Sequence, residues 1–317
     1  MYKFIHDTEI RRNILEKITT KTCYSYVSLT LAMLFLGLTI ITGKILSTSF
    51  PIFALLLFRF IIGTSIIFTF IYFTKSCTSN KDIFLTKMDW VILFLQALFG
   101  GFLFNVLLLY GLQFSSATTA GIITSTNPFF TIILGYLFLK EKIGLKKIGI
   151  VSLAILGIAI LNTSGDFKNP IIFDIKGNIL ITLAVVAGAC YTIAIKKIAN
   201  KISPYKMAAI FNLFSLLLFI PLVLFKPNEH SYLTIPLSSY GIAILYSLFG
   251  SVMFPILWNY GISNVKASTA SLFTGLSPIF TAIIAYIALG ENINFIQVIG
   301  GIIVVIAIIT DGLIATN

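Results

Sequence analysis

Charged side chains are scarce in this chain, and acidic ones scarcer still. Eleven Asp and Glu stand against 22 Lys and Arg in 317 residues, and charged residues make up only 10%. A soluble domain carries about 25%, so a water-facing globule is excluded. Histidine occurs twice, as His6 near the N-terminus and His230 in a loop, which leaves no material for a His-based metal or catalytic site. Three cysteines (Cys23, Cys77 and Cys190) are an odd number without metal-like spacing, and no disulfide framework follows. Polar and apolar residues do not alternate in short segments, which excludes a transmembrane barrel. No segment outside the apolar runs mixes basic and aromatic residues, so the net charge of +11 does not mark a nucleic-acid-binding domain. Nor does any carboxylate lie in the middle of an apolar run; Glu141, Glu291 and Asp311 all sit near run ends.

What is abundant is apolar length. Hydrophobic residues make up 58% of the chain, and mean hydropathy is +1.01. The apolar blocks reach the roughly 20 residues that a membrane-crossing helix needs. They fall at about 24–46, 52–73, 90–112, 117–139, 143–163, 177–199, 205–225, 239–260, 268–289 and 293–313, predicting ten spans. Counted on alternate sides, 17 Lys and Arg fall on one face of the membrane and 3 on the other, with Lys44 and Arg59 inside spans. Basic residues collect in cytoplasmic loops, so both termini are expected in the cytoplasm, in an all-α protein of the cytoplasmic membrane. Residues 1–23 are too long for the basic region of a cleaved signal and read as a cytosolic tail. Within them Ile10, Ile14 and Ile18 share one helical face, which leaves a short surface helix as an alternative.

The chain writes one segment twice. Residues 118–142 and 268–292, at a constant offset of 150, match at ten of 25 positions, among them Thr124/Thr274, Pro128/Pro278 and Glu141/Glu291. Gly100/Gly250, Tyr110-Gly111/Tyr260-Gly261 and Ala117/Ala267 extend the match. Weaker echoes join spans one and six at an offset of 153, as Lys44/Lys197 and Phe58/Phe211. Five crossings separate the copies, so they run oppositely through the bilayer. The expected architecture is an inverted five-plus-five repeat, with halves at 24–163 and 177–313. Such symmetry suits alternating access, in which two halves exchange conformations about a central site. Pro128 and Pro278 lack an N–H for the carbonyls of Thr124 and Thr274 and are candidate hinges. Their Thr, Ser and Asn neighbours could partner the freed backbone.

The tandem pattern of Tyr-Gly, Ala, Pro and a Leu-x-Glu span end, followed by a Gly-rich helix (Gly149 and Gly157; Gly300-Gly301), resembles the EamA-type drug/metabolite transporter superfamily. Leu57-Phe58-Arg59-Phe60 is similar to that family's arginine-bearing segment. The resemblance covers the chain beyond residue 23. It implies a ten-helix transporter of small metabolites, without cofactor, whose cavity is lined by spans one, three, four, six, eight and nine. On those spans Asn105, Tyr110, Thr124, Asn127, Tyr191, Trp258, Asn259, Thr274 and Ser277 are the cavity candidates. Tyr110 and Trp258 also fit an interfacial aromatic belt. Lys44, close to a span end, reads as a snorkelling cation. Arg59, about seven residues in, is either a clamp on backbone carbonyls or an anchor for a substrate carboxylate or phosphate. With cations but no mid-span acid, the expected substrate is zwitterionic or anionic, amino-acid-like or nucleotide-derived, and the expected partners are that substrate and membrane lipid. The alternative is a membrane protein that handles lipids or serves a structural role. A membrane-embedded enzyme would need His, Asp, Glu or Cys gathered within the spans, and none gather there.

Overall fold

The computed structural model describes residues 2–47, 49–74, 85–115, 117–162, 175–224 and 235–316, without the side chains of 2–19, 117–118 and 314–316. Cys77, His230, the His6 side chain and most of the loops at 163–176 and 226–238 lie outside that description. The described residues are helical, with no strand among them. Ten helices among them are long and apolar enough to cross a membrane: Thr20–Leu46, Ile52–Thr74, Lys87–Leu112, Thr119–Leu139, Leu145–Asn162, Ile175–Ile198, Pro204–Leu224, Leu237–Asn264, Ala267–Leu289 and Phe295–Leu313, hereafter spans one to ten.

The segment ahead of span one is helical and continuous with it. Its helix begins at Tyr2 and runs without a break to Leu46. Neither glycine nor proline occurs before Gly37, so nothing local stops the helix once the span has nucleated it.

Span five packs on ten, two on seven, one on eight and nine, and six on three and four. Exchanging the halves maps one onto six, three onto eight and four onto nine, and leaves this set of pairs unchanged. Glycines set the closest approaches. A Cβ on Gly300 would stand 2.7 Å from the Gly157 carbonyl oxygen and 2.6 Å from the Leu161 nitrogen, so the backbones of spans five and ten touch. The repeated Tyr-Gly pairs have a matching cause. Gly111 lies against Ile181 and the Gly177 carbonyl of span six, and Gly261 lies against Leu29 and the Ser25 carbonyl of span one.

The interior is apolar and aromatic. Phe60 and Phe219 stack with centroids 5.7 Å apart, and Phe60 meets Phe211 edge-on at 6.2 Å, which joins spans two and seven at the centre of the bundle.

Candidate functional site

Four of the spans that surround the centre are interrupted, in matched pairs. In span three, Ala97–Leu103 winds as a π-helix, and in span eight Leu248–Met253 does the same. The wide turns close through Phe104 N–H to the Phe99 carbonyl and Phe254 N–H to the Phe249 carbonyl, an offset of 150 in both donor and acceptor. Wide turns of this kind free carbonyls and collect at functional sites.

The freed carbonyls account for the polar residues around them. In span three, Asn105 Nδ2 donates to the Gly101 carbonyl at 2.7 Å and to that of Gly100 at 3.4 Å. In span eight the π-turn releases the Gly250 carbonyl. Pro255, which has no N–H, releases that of Ser251 four residues back. Arg59 Nη2 of span two takes the first at 2.6 Å, and Asn212 Nδ2 of span seven takes the second at 2.8 Å. Arg59 and Asn212 are themselves equivalent at the offset of 153.

Arg59 is thus a clamp between the halves. Its Nε donates to Ser251 Oγ at 3.0 Å and its Nη1 to the Tyr246 hydroxyl at 3.4 Å, with the guanidinium 5.3 Å from the Tyr246 ring centroid. A guanidinium has five N–H donors, and these three contacts leave two of them. Among the described residues, ion pairs join Lys44–Glu291, Lys147–Asp311 and Lys201–Asp89, and no carboxylate reaches Arg59. The half-buried cation has only neutral partners.

Spans four and nine are broken outright. Span four consists of Ala117–Thr124 and Asn127–Leu139, and span nine of Ala267–Phe273 and Leu276–Leu289. Pro128 opens the second helix of span four, a position proline tolerates because its missing N–H would have no helical partner. The expected kink is therefore a break. Thr124 Oγ1 turns back to the Gly121 carbonyl at 3.0 Å and Thr274 Oγ1 to that of Ser271 at 2.6 Å, so the duplicated threonines make the same local bond. Thr131 donates to Asn127 Oδ1 at 3.4 Å, and Ser277 N–H bonds the Thr274 carbonyl at 3.2 Å.

The remaining candidates do not meet at one point. Tyr110 lies near Phe53, centroids 6.3 Å apart, in a 580 Å³ cleft between the start of span two and the end of span three. Trp258 is 2% exposed and stacks on Phe254, so it belongs to the interior and to no interfacial belt. Asn259 is buried and donates to the Pro204 carbonyl at 3.4 Å, tying span eight to the start of span seven. Tyr191 is buried against Phe211 and the Gly100 turn.

The two ends of the bundle differ. At the end that carries 140–144 and 199–203, polar bonds cross between the halves. Glu141 accepts from the Ala267 and Ser268 N–H groups at 2.7 and 3.4 Å and from Ser268 Oγ at 2.9 Å. Lys147 bonds Asp311 at 2.5 Å and Thr269 at 2.9 Å, Lys201 bonds Asp89 at 2.7 Å, Asn264 bonds Ser25 at 3.2 Å, and Ser28 bonds the Leu257 carbonyl at 2.8 Å. At the opposite end lie the cleft and the half-exposed pair of Lys44 with Glu291. Sequence reasoning missed Asp89, Gln96, Asn212, Ser215 and Ser251 as interior polar residues. Two carried a signal: Asn212 by its equivalence to Arg59, and Asp89 as the acid of a Thr86–Asp89 capping box ahead of an apolar run.

The comparisons with known proteins follow this architecture. The model of the EamA-like transporter family matches residues 24–163 and again 175–310. The uncharacterized transporter YetK of Bacillus subtilis (strain 168) is 30% identical over 300 residues, covering 94% of this chain and 88% of its own. An uncharacterized transporter of Methanothermobacter thermautotrophicus (strain Delta H) is 26% identical over 295 residues, 88% of this chain and 83% of its own. One crystal structure of a protein only 13% identical shares the fold, with a TM-score of 0.74 over 94% of this chain and 98% of that one. A chain with ten membrane-spanning helices, matched by the family model in both halves, belongs to the EamA-like transporter family and is a multi-pass protein of the cell membrane.

Proposed function

We propose that this chain is a secondary transporter that moves a small zwitterionic or anionic metabolite, amino-acid-like or nucleotide-derived, across the cytoplasmic membrane by alternating access. The observation that carries this reading is the contrast in polar bonding between the ends: at one, buried ion pairs and hydrogen bonds join the halves, and at the other the halves meet through the half-exposed Lys44–Glu291 pair and the rings of Phe50, Phe58 and Tyr240. A permanent pore or an inert bundle needs no such contrast, whereas an alternating carrier must have one end closed. The basic-residue bias assigns the closed end to the cytoplasm, with both termini and the segment 1–23 beside it. The pairing that survives exchange of the halves supports an inverted repeat of 24–163 and 177–313.

The substrate class rests on Arg59. A cation at membrane depth is costly without a counter-charge, and this one has neutral partners and two N–H donors to spare. A carboxylate or phosphate would supply the missing charge bidentately. Tyr246 and the π-turn of span eight border the position it would take.

The test is a thermal-stability screen of the purified protein against amino acids, nucleotides and other small organic anions, followed by flux into proteoliposomes. A ligand at 100 times its Kd stabilises by about 2.7 kcal/mol. The expected result is stabilisation by a carboxylate- or phosphate-bearing compound that also crosses the vesicle membrane, both weakened in Arg59→Gln. Stabilisation by lipids alone, with no solute moved, would replace this reading with a lipid-handling or structural role.

A further inference from the structure

Glu141 and Glu291 occupy the same place in the two halves, and the chain presents them identically. Each follows a residue in the left-handed region, Lys140 at φ 55° and Gly290 at φ 69°. Each returns its own N–H to the helix it has just left, Glu141 to the Gly135 carbonyl at 3.2 Å and Glu291 to that of Ala285 at 3.3 Å. Their carboxylates nevertheless have different partners. Glu141, at the closed end, caps the first turn of span nine in the other half through two backbone N–H groups and the Ser268 hydroxyl. Glu291, at the end with the cleft, holds the Lys44 ammonium in a contact where both side chains are about half exposed, 58% and 47%.

Moving each contact by the repeat offset identifies what the other state requires. The Ala267 and Ser268 amides correspond to residues 117 and 118, which open the Ala117–Thr124 helix of span four. Lys44 corresponds to Lys197, whose ammonium now lies 5.3 Å from the Phe138 ring centroid on the helix that delivers Glu141.

We propose that the two glutamates are reciprocal latches. Each alternates between the first turn of the opposite half's broken span, when its end is closed, and a lysine at that same end, when it is open. In the opposite-facing state Glu291 leaves Lys44 and caps span four, while Glu141 leaves span nine and pairs with Lys197. Carboxylates suit both tasks, since a helix N-terminus and an ammonium each offer positive potential and N–H donors. The two contacts at either end compete for one side chain, so closing one end and opening the other become a single event. This inference rests on the alternating-access reading.

The test needs no substrate. In a background without the three native cysteines, Ser28→Cys reports on the closed end and Leu109→Cys on the cleft, each labelled with an impermeant reagent from either side of oriented vesicles. Glu141→Gln is expected to raise labelling at position 28 several-fold and to lower it at position 109. Lys197→Gln is expected to do the reverse, because it removes a contact belonging only to the opposite state, and Glu291→Gln to do so as well, because the cap on span four that it loses there outweighs the half-exposed Lys44 pair that it loses here. Should Glu141→Gln fail to fold, Ser268→Ala removes one of its three donors and is expected to shift position 28 the same way, less far. Unchanged labelling in all variants, or Glu141→Gln and Glu291→Gln moving both reporters in the same direction, overturns the latch. Opposed shifts in a protein that moves no solute would keep the latch and reject the transport reading.

Discussion

Arg59 shows what one side chain does when it must serve two masters in a low-dielectric interior. Its bond to the Gly250 carbonyl satisfies backbone that the π-turn leaves open, its Nε bond holds the Ser251 hydroxyl, and losing them costs roughly 1–3 kcal/mol per orphaned group. Its remaining donors carry the proposed substrate contact. Arg59→Lys keeps the charge but cannot fork, so melting temperature and affinity should both fall. Arg59→Gln should weaken anion binding by about 2 kcal/mol, roughly 30-fold, measured by ligand titration of the thermal shift. A fall in stability with affinity untouched would leave the residue a clamp only. The sequence offered both readings of this arginine. It could not choose between them, because the acceptors come from span eight and exist only once a π-turn has formed there. Asn105 illustrates the same gap. It reads as a cavity residue, yet its amide nitrogen is bonded to the carbonyls of its own wide turn.

At the scale of elements, ten apolar runs were legible to within a few residues because bilayer thickness fixes helix length. The interruptions inside them were only half legible. Prolines announced the breaks in spans four and nine, since a missing N–H is a local property. The π-turns left only the shared Gly100/Gly250 as a sign, because hydrogen-bond register depends on what packs alongside. A Cβ at Gly100 would overlap the Tyr191 ring, and one at Gly250 would overlap the Arg59 guanidinium and the Thr39 methyl. Gly100→Ala and Gly250→Ala should each destabilise by about 1–3 kcal/mol. Gly149→Ala, with nothing within 4 Å, should gain up to about 1 kcal/mol from helix propensity. Melting curves in one detergent compare the three. Pro128→Ala supplies an N–H that can reach the Thr124 carbonyl and join the two helices of span four. Stability should hold or rise slightly, while flux falls. Pro278→Ala should act likewise in span nine, and normal flux in both variants would reduce the prolines to packing features.

Across the whole molecule, the span count and the family were readable from composition and duplicated residues, because both are one-dimensional records. Which end carries the polar bonds between the halves was not, since they join residues more than a hundred positions apart, such as Glu141 with Ala267 and Lys201 with Asp89. The same long-range pairing bears on energetics. The buried acids Asp89 and Asp311 are bonded to Lys201 and Lys147 near span ends, and no carboxylate lies mid-span to ferry a proton. An imposed pH gradient should therefore not drive uptake. Uptake that follows the gradient and is lost in Asp311→Asn, with exchange intact, would contradict this.

The central claim is that the end closed here must open in every transport cycle. The Ser28 hydroxyl of span one donates to the Leu257 backbone carbonyl of span eight at that end, which brings the two residues together there. The most direct measurement is flux through a Ser28→Cys, Leu257→Cys protein in proteoliposomes, before and after a short, reducible thiol crosslinker joins the pair. The account predicts that crosslinking stops transport and that reduction restores it. Undiminished flux through the crosslinked protein would contradict alternating access.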